Sequence, residues 1–426
     1  MTVTIFLGSL LGAMAIGTPI AFALLLCGVA LMVHLDLFDA QIVAQNVING
    51  ADSYHLIAVP FFMLAGEVMN AGGLSRRIVA VAMALVGHVR GGLGYVAILA
   101  SCILASLSGS AVADAAALSA LLVPMMVRAG HNKARSCGLI AAGGIIAPII
   151  PPSIGFILFG VVANVSITKL FLAGIVPGLM LGLALVFAWW LVVRQEDLVP
   201  PPRASKAEIA TAVKDGVWAL ILPAIIIFGL KFGIFTPTEA AVVAAVYALF
   251  VAVVVYRELR PSQLFDLFAS AATTTAVVMF LVAAAMVSAW MITIANLPAQ
   301  VGDMLAPFMG DPKLLMAAIM VLVVIVGTAM DMAPTILILT PVLMPIIKQA
   351  GIDPVYFGVL FIINNAIGLI TPPVGTVLNV VAGVAKLNMG SLMRGVWPFL
   401  IAQLAVLVLL VLFPSLVMVP ARWFAG

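Results

Sequence analysis

Apolar residues fill long blocks of this chain, at 4–33, 93–128, 136–193, 217–257, 264–295, 314–347, 355–385 and 396–421, and polar residues fall mostly between them. A helix needs ~20 apolar residues to cross a hydrocarbon layer. The blocks therefore provide for about ten to twelve crossings plus shorter pieces. Lipid offers no partner to a free backbone amide, so all of them must be helical. Residues 4–33 read as one retained helix, too long for a signal peptide and without a basic start or a small-residue cleavage site.

The interruptions carry more information than the runs. Ser106-Leu107-Ser108-Gly109-Ser110 breaks the block 93–128, and Gly327-Thr328-Ala329-Met330-Asp331, followed by Pro334, breaks 314–347. Both breaks are too short to leave a membrane, so each block predicts a re-entrant helical hairpin with its tip buried in protein. Further on, Gly143-Gly144 leads to Pro151-Pro152-Ser153, and Asn364-Asn365 leads to Thr371-Pro372-Pro373. Proline lacks an amide donor and clashes with the preceding turn, so each pair marks an unwound or restarted helix.

These features repeat at one offset. A shift of 221 residues carries Pro124 onto Pro345, Gly130 onto Gly351, Pro151-Pro152 onto Pro372-Pro373, Gly174 onto Gly395 and Pro177 onto Pro398. Chance placement of 25 prolines gives about 0.3 proline coincidences over this stretch, and four are present. The fold class expected is an all-α polytopic membrane protein of two repeats, 1–193 and 216–426, with hairpin and broken helix at 93–163 and 314–385. Inverted repeats require an odd number of crossings between equivalent points, and charge counting leaves the side of the termini open. Duplicated halves with broken helices are the pattern of a secondary transporter.

Composition narrows the class. Hydrophobic residues make up 65%, charged residues 8%, and mean hydropathy is +1.30. A soluble domain carries roughly 25% charge, so this chain belongs in a lipid bilayer. Net charge is +3 without a basic cluster, which argues against nucleic acid as a partner. The segment 194–215 holds eight formal charges and three consecutive prolines and reads as an aqueous linker. Its basic residues favour the cytoplasmic side, although four acids lie among them. Trp189, Trp190, Trp397 and Trp423 lie near block ends and read as interfacial anchors. Cys27, Cys102 and Cys137 show neither metal nor disulfide spacing. The four histidines stand apart, and no H-E-x-x-H or phosphate-binding glycine loop is present. An enzyme or an ATP-driven pump is thus disfavoured, and an ion gradient is the energy source to expect.

An unwound helix exposes carbonyl oxygens suited to Na⁺, and half-helix N-termini suited to a carboxylate. Ser106, Ser108, Ser110, Thr328, Asn364, Asn365 and Thr371 supply side-chain oxygens at these breaks, although such groups also fill ordinary helix contacts. Asp114 and Asp331 lie beside the hairpin tips, where a carboxylate needs a partner or a wet cavity. Asp114 reads as a cap on the tip amides, and Asp331 stays open between ion binding and capping. Thr236-Pro237-Thr238-Glu239 reads as a capping box.

With VPFFMLAGEVMNAGGLSRRI at 59–78, SLSGSAVADAAALSALLVPMM at 106–126, GGIIAPIIPPSIGF at 143–156, GIFTPTEAAVVAA at 233–245 and INNAIGLITPPVGTVLNV at 363–380, the chain resembles the large membrane subunit of TRAP (tripartite ATP-independent periplasmic) transporters over its whole length. The resemblance implies a bacterial inner-membrane permease that imports an organic acid with Na⁺ by an elevator movement. It also implies two partners, a small four-helix membrane subunit and a periplasmic substrate-binding protein. The chain starts directly with the first large-subunit helix, so the small subunit is expected as a separate chain. Carried over by motif, one Na⁺ site falls at Ser106, Ser108, Ser110, Gly143 and Gly144, and another at Thr328, Asp331, Asn364 and Gly368. Substrate falls near Pro152, Ser153, Thr371 and Pro373, and Asp114 belongs to the structure of its hairpin tip. Within the family the chain looks nearest to large subunits for 2,3-diketo-L-gulonate, with sialic acids and C4-dicarboxylates as other classes. A stand-alone Na⁺/dicarboxylate carrier and a membrane scaffold without transport are the competing readings.

Overall fold

The computed structural model describes residues 2–425 apart from 195, 197, 199, 373 and 374, and every described element is helical. Eight helices among the described residues are long and apolar enough to cross a membrane, the longest being Pro261–Ile294. Seven shorter apolar helices accompany them. Most of the short ones are arms and half-helices around the breaks.

The element bounds themselves repeat. Ala111–Arg128 and Met332–Gln349 stand 221 residues apart at both ends. Gly92–Ser108 corresponds to Pro312–Ala329, and Lys133–Gly144 to Pro354–Gly368, with bounds within about three residues of that offset. Ile154–Ala163 matches Thr376–Ala385, and Ile167–Val193 matches Met389–Leu412. Each unit is thus an entry arm, a return arm, a half-helix, a break, a restarted half-helix and a long helix.

The two units are not separate bodies. The first return arm, Ala111–Arg128, packs on the second restart, Thr376–Ala385, and the second return arm, Met332–Gln349, packs on the first restart, Ile154–Ala163. The long helix Met389–Leu412 lies against the first half-helix, Lys133–Gly144. Reciprocal contacts of this kind follow from a pseudo-two-fold relation between the units. Around them stand the helices Ala58–Ala71, Lys206–Lys231, Pro237–Phe250 and Pro261–Ile294, with Ala58–Ala71 packed on both Pro237–Phe250 and Pro261–Ile294. Pro237–Phe250 starts with the expected capping box of Thr236 and Glu239.

Three expectations change. Residues 4–33 form two mutually packed helices, Thr2–Ala15 and Ile20–His34. Gly17 turns the chain at φ 85° and Pro19 precedes the second helix, so one continuous helix is broken there. Lys206–Asp215, read as linker, forms the first turns of Lys206–Lys231, because Ser205 and Glu208 close a capping box. Trp189 is fully buried, with its indole donating to the Gly91 carbonyl at 2.9 Å, so it is a core residue. Trp190, Trp397 and Trp423 are exposed.

Glu196, in the remaining linker, is pinned to the first unit. The Glu196 carboxylate lies 3.1 Å from both His131 Nδ1 and Arg135 Nη1, and Arg90 donates to its carbonyl at 2.6 Å. Glu196 and His131 are largely withdrawn from solvent, which makes this cluster costly to break from one side.

Candidate functional site

The first hairpin tip turns at Gly109, whose φ of 62° favours glycine. A Cβ on Gly109 would also stand 2.7 Å from the Pro152 carbonyl oxygen, so the tip touches the proline break because it has no side chain there. Ser110 then caps the return arm, its Oγ accepting from the Ala113 amide at 3.4 Å. Asp114, expected to cap the tip amides, instead accepts from the Ser108 hydroxyl at 2.5 Å. The Ser110 hydroxyl already holds the amide that Asp114 would have taken. Asp114 is buried and its Oδ2 has no partner. Ser106 donates to the Ile103 carbonyl at 2.6 Å, within its own helix.

The second tip turns at Met330 and Asp331 in extended backbone, without a glycine. Asp331 stands at the N-cap of Met332–Gln349, yet its carboxylate makes no capping bond and is exposed. Its carbonyl accepts from the Thr335 hydroxyl at 2.8 Å. Thr328 turns its hydroxyl back onto the Ile325 carbonyl at 2.7 Å.

The two helix breaks are seated by different chemistry. In the first unit, a Cβ on Gly143 would collide with Ser101 Oγ, and one on Gly144 would stand 2.8 Å from Ala115 Cβ and 3.1 Å from the Ala111 carbonyl oxygen. Backbone approaches the hairpin closely here, and only glycine permits it. In the second unit the equivalent residues are asparagines. Asn364 donates to the Met320 carbonyl at 2.6 Å and Asn365 to the Met332 carbonyl at 3.2 Å. The close backbone approach moves to Gly368, where a Cβ would lie 2.8 Å from Gly327 C. The Oδ1 atoms of Asn364 and Asn365 and the Ser101 hydroxyl are buried without a partner. Buried oxygens without donors are costly, and a cation is one group that would satisfy them.

Ser153 is fully buried and caps the restart, accepting from the Phe156 amide at 3.1 Å and donating to the Pro148 carbonyl at 2.5 Å. The Pro151–Pro152 bond is cis. Thr371 donates to the Ile367 carbonyl at 2.8 Å. Pro373 lies outside the described residues.

A cavity of about 320 Å³ lies where the parts meet. Gly109 and Ser110 from the first tip and Asp331 from the second line it, with Pro148, Ile154 and Gly155 at the first break and Leu369 at the second. Met63, Thr274 and Val278 of the surrounding helices complete the wall. Of the residues singled out in the sequence, Ser110 and Asp331 thus share one space, whereas Ser106 and Thr328 bond back onto their own arms. Ser101, Met63 and Thr274 were missed. Ser101 sits five residues before the first tip signal at Ser106, and Met63 and Thr274 come from helices whose polarity pattern says nothing about their neighbours.

Residues 7–416 match the family described as tripartite ATP-independent periplasmic transporter, DctM component. The chain belongs to that family. This DctM-family chain is 60% identical, over 99% of its length and 100% of the relative's, to the 2,3-diketo-L-gulonate TRAP transporter large permease protein YiaN of Escherichia coli (strain K12). It is 38% identical to the sialic acid TRAP transporter large permease protein SiaM of Vibrio cholerae, over 98% of the chain and 97% of the relative. Identity to the C4-dicarboxylate TRAP transporter large permease protein DctM of Pseudomonas aeruginosa is 37%, over 89% of each. Among solved structures it is similar to the Alcanivorax borkumensis YdaH transporter, described as having an unusual topology, with TM-score 0.64 and 16% identity, over 92% of this chain and 91% of that one. That likeness concerns the fold alone. The DctM-family chain is therefore a multi-pass membrane component of a TRAP transporter.

Proposed function

We propose that the chain imports an organic acid together with Na⁺ across a bacterial inner membrane, working with a small membrane subunit and a periplasmic binding protein. The observation that carries this reading is the charge of the central cavity. Asp331 lines it, no basic side chain does so among the described residues, and the partial positive ends of Ala111–Arg128 and Met332–Gln349 start at its wall. An organic anion entering beside Asp331 meets like charge, which an accompanying cation neutralises. Na⁺ suits the oxygens left without donors at the breaks: Asp114 Oδ2 in the first unit, Asn364 Oδ1 and Asn365 Oδ1 in the second. The organic acid would lie in the cavity toward Pro152, Ser153 and Thr371. Its chemical class is the sugar-acid, sialic-acid or dicarboxylate one that the relatives' names record.

The volume fits a small solute, at the lower end of the roughly 300–1,000 Å³ of small-molecule sites. The cavity lies between the interlocked units and the surrounding helices Ala58–Ala71 and Pro261–Ile294. Such a boundary supports an elevator movement, in which the units carry the site past a fixed wall as inverted repeats. The test is uptake of radiolabelled 2,3-diketo-L-gulonate into proteoliposomes holding this chain and its small subunit, with and without binding protein and an inward Na⁺ gradient. Uptake that requires both supports the reading. Uptake with Na⁺ alone makes the chain a stand-alone carrier, and Na⁺-independent uptake removes the cation sites.

A further inference from the structure

The first helix break has a neighbour from the other unit. Lys133–Gly144 ends in a buried row of carbonyls without partners in the helix itself, as every helix end does. The Ile146 amide bonds Gly143 and the Ala147 amide bonds Gly144, so the Ala142 carbonyl is left for a side chain. Gln403, on Met389–Leu412, donates its Nε2 to that carbonyl at 2.7 Å. The side chain is fully buried, and its Oε1 has no partner. Gln403 is the lone amide of the apolar run 396–421, and its repeat-related position in the first unit is Gly182. Only one of the two breaks is therefore held in this way.

A packed apolar side chain would exchange the unpaired Oε1 for an unpaired Ala142 carbonyl and leave the number of stranded acceptors unchanged, so the fold itself does not ask for glutamine. Beneath the bond, Gly138 and Gly395 bring the two helix backbones together so closely that a Cβ on Gly138 would stand 2.7 Å from the Val396 nitrogen. The position of Ala142 is therefore set jointly by the glycine contact and the amide. The next two residues, Gly143 and Gly144, seat the half-helix end against Ser101 and Ala115 of the first hairpin.

We propose that Gln403 is a positioning residue of the first cation site, supplied by the second unit. By holding the Ala142 carbonyl it fixes the end of the half-helix whose glycines face the hairpin, and it ties ion binding in one unit to the placement of a long helix of the other. This rests on the Na⁺ reading above. The test uses the chain with its small subunit in proteoliposomes and compares wild type with Gln403→Met, a near-isosteric apolar variant, and Gln403→Asn, whose shorter amide withdraws from Ala142. Uptake is read against Na⁺ concentration at fixed substrate, and against substrate at saturating Na⁺, together with thermal unfolding in detergent. In Gln403→Met and Gln403→Asn the Na⁺ concentration for half-maximal uptake rises about tenfold, the substrate dependence moves less than about twofold, and Gln403→Met unfolds no earlier than wild type. An unshifted Na⁺ dependence in both variants overturns the proposal. So does a loss of thermal stability in Gln403→Met with substrate and Na⁺ dependences shifting together, since that is what a structural amide would give. Should Gln403→Met not accumulate, Gln403→Asn alone decides by the same criteria. Na⁺-independent uptake by the wild type would sink the cation reading itself, and this inference with it.

Discussion

The two units share their order of helices, with bounds that agree to within about three residues of one offset, but seat each break on its own hairpin by different means. The first seats bare glycine backbone directly on its neighbours: Gly109 against the Pro152 carbonyl, Gly143 against the Ser101 side chain, Gly144 against Ala111 and Ala115. The second uses side-chain amides, Asn364 on Met320 and Asn365 on Met332, and keeps one bare approach at Gly368. Their acids differ likewise. Asp114 is buried against Ser108 in the first hairpin, whereas Asp331 is exposed at the cavity wall in the second. A duplicated backbone thus fixes where a break falls, and the residues filling it decide whether that break is rigid or polar. Steric seating tolerates no added atom, while an amide seat tolerates loss of a bond at modest cost. The first unit should therefore respond to substitution as a hinge that jams, and the second as a ligand shell that weakens.

The sharpest break of that comparison is to give the first unit the second's residue. Gly144→Asn places a Cβ 2.8 Å from Ala115. Overpacking of this kind costs about 1–3 kcal/mol, and uptake is expected to fall more than tenfold while the protein still inserts. Residual uptake near wild type would show that the seat is soft. The reverse change, Asn365→Gly, removes one hydrogen bond and some packing at about 1–2 kcal/mol, and is expected to raise the Na⁺ requirement several-fold before it touches the maximal rate. Asp331→Ala takes the carboxylate from the cavity, and Na⁺-driven uptake should drop strongly with expression intact; unchanged uptake would remove Asp331 from the site. The smallest effect belongs to Ser110→Ala, which loses an N-cap worth about 1 kcal/mol and should reduce uptake a few-fold.

Much of this was legible in the chain. Gly109-Ser110 and Met330-Asp331 fall where the apolar blocks 93–128 and 314–347 are interrupted, because a tip inside protein must be short; Ser110 also caps its return arm, whereas Asp331 does not. Pro151-Pro152 marked the restart at Ile154 because proline has no amide with which to continue a helix. The split at Gly17-Thr18-Pro19 was hidden by unbroken apolarity on both sides, although glycine and proline stand there in plain view. Trp189 shows why position along a block is a weak guide to depth. Its place near a block end suggested an interface, yet Gly91 and Gly94 open a pocket that its indole fills, since a Cβ on either would collide with Val193 or Trp189. The interlocking of the units left no local signal at all. That Met332–Gln349 meets Ile154–Ala163, or that Gln403 reaches Ala142, depends on three-dimensional exchange between segments far apart in sequence.

On the proposed function both breaks bind a cation, and the steepness of the Na⁺ dependence tests that proposal most directly. Initial uptake by the chain with its partners would be measured across a range of Na⁺ concentrations for wild type, Asp114→Ala and Asn365→Ala. Two cooperating cations give a sigmoidal wild-type curve with a slope above one, and each variant, acting on one unit, reduces it toward one. A hyperbolic wild-type curve, or a slope that neither variant changes, would contradict the account.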